Sequence, residues 1–271
     1  MKPLSEKPDR EASREIFEKI YGEYNKRIYV SPDPLQFLYE YEESADREVV
    51  GLIASGLAYG RVAQILKSVR RVLDALGPHP AEYLKENGVK CHEEKLRGFV
   101  HRFTDCGEMC AFLAASGEVL RRYGTIENLF VSGFNGEILP AMENFSETFN
   151  RCAGRENMFL LPRPSKGSAC KRLALYLRWM VRCDDVDPGG WRGISPASLL
   201  IPLDTHMFNI STTLGLCSSK SANGRAAAEI TEKFKDISPD DPVKYDFALT
   251  RYGIREEMTV EELFAKWHLK R

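Results

Sequence analysis

Two short segments carry the residue types that amine-based covalent chemistry needs. In the first, Ser165-Lys166-Gly167-Ser168 leads into a helix predicted to begin near Ser168, with Lys171 one turn inside it. The glycine permits close approach, the Ser168 hydroxyl can cap, and free backbone N–H groups at a helix start favour an anion such as phosphate. Ala169, Leu173, Leu177 and Met180 fall on one apolar stripe. Lys171, Leu175, Arg178 and Arg182 follow a different face, so Lys171 stands off the core. The positive end of the helix dipole, with Lys166 and Arg172 nearby, favours the neutral, nucleophilic form of its amine. A solvated surface lysine is the plainer reading of the same position. In the second segment, Ile201-Pro202-Leu203-Asp204-Thr205-His206-Met207-Phe208-Asn209-Ile210, an apolar approach and a proline precede an aspartate at a helix start. Taken alone, Asp204 is an N-cap accepting from the N–H of His206 or Met207. A capping carboxylate is also held in one orientation, from which it can steady a developing positive charge or orient an attacking amine.

Other residues offer supporting roles. Arg61, Lys166, Arg172, Arg178 and Arg182 can make a local basic face for a phosphate backbone, against the alternative of a salt-bridged surface. Trp179, Trp191 and Phe208 can stack on a base or simply fill core, and Trp191, placed on a predicted loop, is the strongest stacking candidate. His206 reads as a hydrogen-bonding or phosphate-contacting neighbour of Asp204 rather than a base. The segments 99–103 (Phe-Val-His-Arg-Phe) and 241–247 are conspicuous without indicating a mechanism. Cys106, Cys110 and His101 can share a face, but no second ligand pair at zinc-finger spacing accompanies them, and no cysteine follows Cys217. Neither metal nor cofactor is expected.

The elements that must position these residues read almost entirely as helix. Amphipathic or buried helical periodicity runs over 11–27 and 45–58, then from Val62 to a stop at Gly77-Pro78, and over 80–86, 93–102, 107–123, 125–131 and 136–150. Residues 151–167 and 184–195 are Pro- and Gly-bearing loops, and helices resume at 205–215, 222–235 and 241–252. Strand-like alternation is nearly absent, which predicts an all-α fold. The 271 residues, 43% apolar and 28% charged, suffice for one large or two small cores and exclude a disordered chain. A net charge of -1 supplies no global attraction to nucleic acid or anionic lipid, so any nucleic-acid face must be local. No membrane span or leader is expected. Seven scattered cysteines read as reduced thiols of a cytoplasmic protein.

The pairing of Gly167-Ser168-Ala169-Cys170-Lys171 with Leu203-Asp204-Thr205-His206 resembles the helix-hairpin-helix DNA glycosylase superfamily, which contains endonuclease III and the 8-oxoguanine glycosylases. The resemblance covers roughly residues 45–252 and rests on short motifs. It implies one glycosylase-like helical domain of two subdomains, about 45–150 and 151–252, with a DNA-facing cleft between them. It implies Lys171 as Schiff-base nucleophile, Asp204 as its carboxylate partner, and Lys166, Gly167 and Ser168 as phosphate contacts. Tyr59 and Arg61 occupy the place of a side chain that wedges into a duplex beside a flipped base. Arg172, Arg178 and His206 would add DNA contacts, and Trp191 and Phe208 a base pocket. The implied activity is base excision with associated strand cleavage by a monomer, on double-stranded DNA carrying a damaged base, an oxidised purine among them. The hairpin departs from the superfamily in keeping one glycine of the usual two, and the Lys171–Asp204 separation of 33 residues is long. A non-catalytic nucleic-acid-binding or scaffold protein is the rival reading. Over nearly its full length the chain is also similar to an uncharacterised bacterial family of unknown function.

Overall fold

Val49-Val50-Gly51-Leu52-Ile53-Ala54 is apolar on every side, and every one of these residues is buried, so beyond its first turn the helix carrying them has no solvent face. In the computed structural model, which describes residues 10–254 and Leu263, that helix is α2 (Ser44–Gly56). Preceding it are α1 (Arg10–Tyr24) and a 3-10 segment, Pro34–Glu40. After it come α3 (Val62–Leu76), α4 (Pro80–Glu86), α5 (Val89–Lys95), a hairpin of β1 (Val100–His101) and β2 (Thr104–Asp105), α6 (Cys106–Tyr123), α7 (Ile126–Ser132) and α8 (Ile138–Cys152). The rest comprises α9 (Lys171–Val181), α10 (Thr205–Thr213), α11 (Gly224–Lys235) and α12 (Asp246–Ile254). The fold is all-α, as predicted.

α2 packs against α9, the 34–40 segment, α3, α4 and α7, while α6 packs against α4, α5, α7 and α8, and α12 against α1 and α10. The buried apolar residues make one continuous cluster. Helix starts follow from side-chain caps: Asp105 accepts from the N–H of Glu108, Thr125 from Asn128, Asp204 from Met207 and Asn223 from Ala226. Each cap satisfies a backbone donor that the first helical turn leaves free.

Three predicted elements differ, one of them the helix predicted over 241–252, which begins at Asp246. The helix predicted over 93–102 ends at Lys95, and the chain turns into the β1–β2 hairpin. Gly98 has φ +70, which breaks the helix, and the His101 ring is drawn into the interior, bonded to Ser68 Oγ (2.9 Å) and the Tyr59 carbonyl (3.1 Å). The helix predicted from Ser168 begins instead at Lys171, because Cys170 adopts a left-handed conformation (φ 47°, ψ 34°). Among the described residues no helix is long and apolar enough to cross a membrane.

Candidate functional site

The segment leading to Lys171 is pinned from two sides. Pro164–Lys166 forms a 3-10 turn ended by Gly167 at φ +76, and Glu143 on α8 accepts from the backbone N–H (2.9 Å) and hydroxyl (2.8 Å) of Ser165 while pairing with Arg163. Cys170 is buried, its thiol donating to the Pro162 carbonyl at 3.3 Å and its N–H to Ser168 Oγ at 3.0 Å. Burial pushes that thiol up to about 11, leaving it inert as a nucleophile at neutral pH. Lys171 is therefore the first helical residue of α9, with no side chain capping the helix start.

From there Lys171 reaches across to the C-terminal end of α2. Its Nζ donates to the Ala58 carbonyl at 3.3 Å and lies 3.8 Å from Asp204 Oδ2. Asp204 divides its two oxygens: Oδ1 accepts from the Met207 N–H at 2.9 Å and caps α10, and Oδ2 faces the lysine. Both side chains remain partly open, at 31% and 22% of full exposure. The expected pair is thus brought together, with the cap and the lysine contact made by the same carboxylate.

Beside the amine lies a cleft of about 300 Å³ lined by Ala58, Tyr59, Phe159, Gly167, Cys170, Lys171 and Arg172, among others. Arg172 does not point to solvent as a phosphate contact would. Its guanidinium lies over the Phe159 ring (4.4 Å) and the Tyr59 ring (5.1 Å) and donates to the carbonyls of Phe159 (2.5 Å) and Gly56 (3.4 Å). Orphan carbonyls at the end of α2 are a natural seat for a cation. Burial without a carboxylate partner lowers Arg172 to about 10. Tyr59 lines the cleft, but its hydroxyl is tied to Thr104 Oγ1 (2.6 Å) and the His101 carbonyl (2.7 Å), so its ring is fixed in place.

Arg61 and Lys166 are exposed, Gly167 is exposed, and Ser168 and His206 are half-buried. Phe208 is half-buried against the core. Lys166 faces a second cleft, of about 470 Å³, which it shares with Arg151, Arg155 and Arg163 and with the acids Glu147 and Glu156.

Arg178 and Trp191 depart from their predicted roles. Arg178 is 3% exposed and pairs with Asp187 and Asp246; Arg182, equally buried, pairs with Asp184, Asp187 and Asp241. Both are enclosed in the interior by carboxylates from the 184–187 loop, residue 241 and α12, so neither guanidinium lies on the surface as a backbone contact requires. The helical spacing that placed them with Lys171 holds for Arg178, while Arg182 lies just past the end of α9 in extended conformation, and spacing is silent on what covers either. Trp191 lies on the predicted loop yet is 4% exposed: Tyr176 and Phe130 pack on its ring and its Nε1 donates to Glu48 Oε1 at 2.7 Å. The same Glu48 accepts from the N–H groups of Ile126 and Glu127, so it draws the loop onto α7 and buries the indole. Trp179 is buried as well.

Sequence reasoning passed over Phe103 and Phe159. Phe159 lines the cleft and touches Tyr59, and Phe103 at the hairpin tip touches Phe159. The run Phe-Val-His-Arg-Phe at 99–103 was conspicuous in the sequence, but which of its side chains stay outside was not legible there. Among the described residues no group of three or more His, Cys, Asp or Glu side chains is gathered as a metal site requires. Cys106 and Cys110 do share a face, with sulfurs 3.7 Å apart, while His101 is engaged elsewhere.

No curated protein and no solved structure is found to match the chain. A family model described as a protein of unknown function (DUF2400) matches residues 33–255, a stretch that contains α2, the cleft, Lys171 and Asp204, and the chain belongs to that family.

Proposed function

We propose that this protein is a DNA-repair glycosylase with an associated β-lyase step, in which Lys171 is the Schiff-base nucleophile and Asp204 its carboxylate partner. What supports the reading is one juxtaposition: Lys171 Nζ and Asp204 Oδ2 lie 3.8 Å apart beside a cleft, although their segments are remote in the chain. Deprotonated Lys171 attacks C1′ of the damaged nucleoside, and the C1′–N bond breaks with its electron pair leaving on the base, which takes a proton from solvent. Opening of the C1′–O4′ bond gives the Schiff base. Loss of a C2′ proton then breaks the C3′–O3′ bond, expels the 3′ phosphate and cuts the strand. Asp204 holds the amine and offsets positive charge as it develops at C1′. A cleft of about 300 Å³ matches one base extruded from the stack rather than a duplex. The substrate is double-stranded DNA with a damaged base, an oxidised purine such as 8-oxoguanine being the lesion class suggested by the superfamily resemblance. In this reading the protein acts as a monomer in the cytoplasm, without a cofactor.

Borohydride trapping on duplexes carrying an abasic site, 8-oxoguanine or uracil tests this directly. A covalent adduct is expected with the wild-type protein and none with Lys171→Gln. Absence of any wild-type adduct while DNA binding persists would overturn the enzymatic reading and leave a non-catalytic nucleic-acid-binding protein.

A further inference from the structure

The β1–β2 hairpin has an unusual tip. Its two turn residues are Arg102 and Phe103, between the paired residues His101 and Thr104. Arg102 has φ +52, a left-handed conformation in which hairpin turns ordinarily carry glycine or asparagine. Its side chain lies over Gly60 in the turn after α2, so closely that a Cβ on Gly60 would come within 2.7 Å of Arg102 Cδ. The hairpin is otherwise firmly rooted: His101 and Thr104 are buried, and both bond to Tyr59. A rigid base thus presents a strained arginine and a phenylalanine to solvent.

Phe103 is 72% exposed and Phe159 42% exposed, yet they touch, with centroids 5.7 Å apart and planes at 69°. Arg172 covers one face of Phe159 and Arg102 approaches one face of Phe103, so the ring surface left for a third ring is the remaining face of the exposed Phe103. Two cations adjoin the pair, Arg102 at 5.4 Å from the Phe103 ring and Arg172 over Phe159, and Arg61 follows Gly60, on which the Arg102 side chain lies. Among the described residues none of these three arginines has a carboxylate within ion-pair distance. An open Phe103 face beside the exposed Arg102 guanidinium, which no carboxylate pairs, suits a ligand that is flat and aromatic at one end and anionic at the other.

We propose that Phe103 and Phe159, with Arg102, form a stacking platform for an unpaired base of a DNA strand at the edge of the Lys171 cleft. The identification of the strand as DNA rests on the function proposed above; the platform itself requires no chemistry at Lys171. One base stacks on the open ring face, and Arg102 contacts the adjoining phosphate.

Fluorescence anisotropy tests the platform with labelled single-stranded DNA, the matched duplex and a duplex with one bulged base, using wild type and the variants Phe103→Ala, Phe103→Trp, Phe159→Ala and Arg102→Gly. Phe103→Ala and Phe159→Ala are expected to weaken binding to the single strand and the bulged duplex on the order of tenfold, with little change for the matched duplex. Phe103→Trp should bind at least as well as wild type. Arg102→Gly should raise Tm while weakening binding and lowering the slope of log affinity against log salt by about 1. Equal binding by wild type and Phe103→Ala overturns the platform alone and leaves the trapping result untouched. Equal weakening on all three DNAs overturns it too. A wild-type protein that binds no oligonucleotide overturns both proposals, and tighter binding of an RNA strand of the same sequence overturns the assignment to DNA.

Discussion

Asp204 performs two tasks with two oxygens, and substitutions can separate them. Its Oδ1 caps α10 through the Met207 N–H, and Oδ2 faces Lys171. Asparagine caps a helix about as well as aspartate, so Asp204→Asn should leave Tm nearly unchanged while removing the negative charge beside the amine. Asp204→Ala loses the cap and should cost about 1 kcal/mol of stability. A partly exposed ion pair at 3.8 Å contributes little to stability, which keeps the two effects apart. With a trapping assay, both variants should lose adduct formation by on the order of 100-fold, and thermal melts should show the alanine variant alone destabilised. If Asp204→Asn traps as efficiently as wild type, the carboxylate acts only as a cap.

Helix crossings fix where the site can lie. α4 and α6 approach so closely at Gly117 that a Cβ added there would sit 2.2 Å from the Leu84 carbonyl oxygen. Backbone cannot retreat as a side-chain tip can, so Gly117→Ala must push the helices apart. Against a gain in helix propensity of up to about 1 kcal/mol, we expect net destabilisation of roughly 1–3 kcal/mol, visible as a lower urea midpoint. A midpoint equal to or above that of wild type would show that α4 yields freely. At the same scale, Glu48 explains why a loop tryptophan is buried: one carboxylate on α2 gathers the start of α7 and the Trp191 indole. Burial raises Glu48 above the ordinary glutamate range, opposed by those three donors.

For the whole molecule, stability should depend on pH through buried histidines. His92 is 1% exposed and neither ring nitrogen has a hydrogen-bond partner; burial, with Lys95 adding to it, lowers it to about 4 from 6.5. Below pH 6.5 the unfolded chain takes up a proton that the folded protein refuses, so stability is lost as pH falls from about 6.5 to 4, by up to about 3 kcal/mol. His101, also lowered by burial, acts in the same sense. Asp246 acts oppositely: burial raises it to about 6, so its protonation favours the folded state over part of the same range. A variant comparison isolates the histidine. His92→Leu should narrow the difference in Tm between pH 7 and pH 5, and an unchanged difference would show that His92 is solvated in the folded protein.

The helical class, most helix spans and the cap at Asp204 were legible in the sequence, because periodicity and capping act over one or two turns. The residues of the Lys171–Asp204 pair were legible as types at helix starts. Their distance was not, since it depends on α9 packing against α2 and on a left-handed Cys170 that moves the helix start to Lys171 itself. Nor did the local pattern distinguish an arginine facing solvent from one facing carboxylates: Arg178 shares a helical face with Lys171, but Asp187 folds back onto it from the next loop and Asp246 arrives from α12. Trp191 left its expected place for the same reason, and Phe103, given no role by the sequence, stands outside. Periodicity specifies which side chains share a face, whereas burial is decided by what the rest of the chain lays over that face, here Glu48 drawing Trp191 inward and a short hairpin holding Phe103 out.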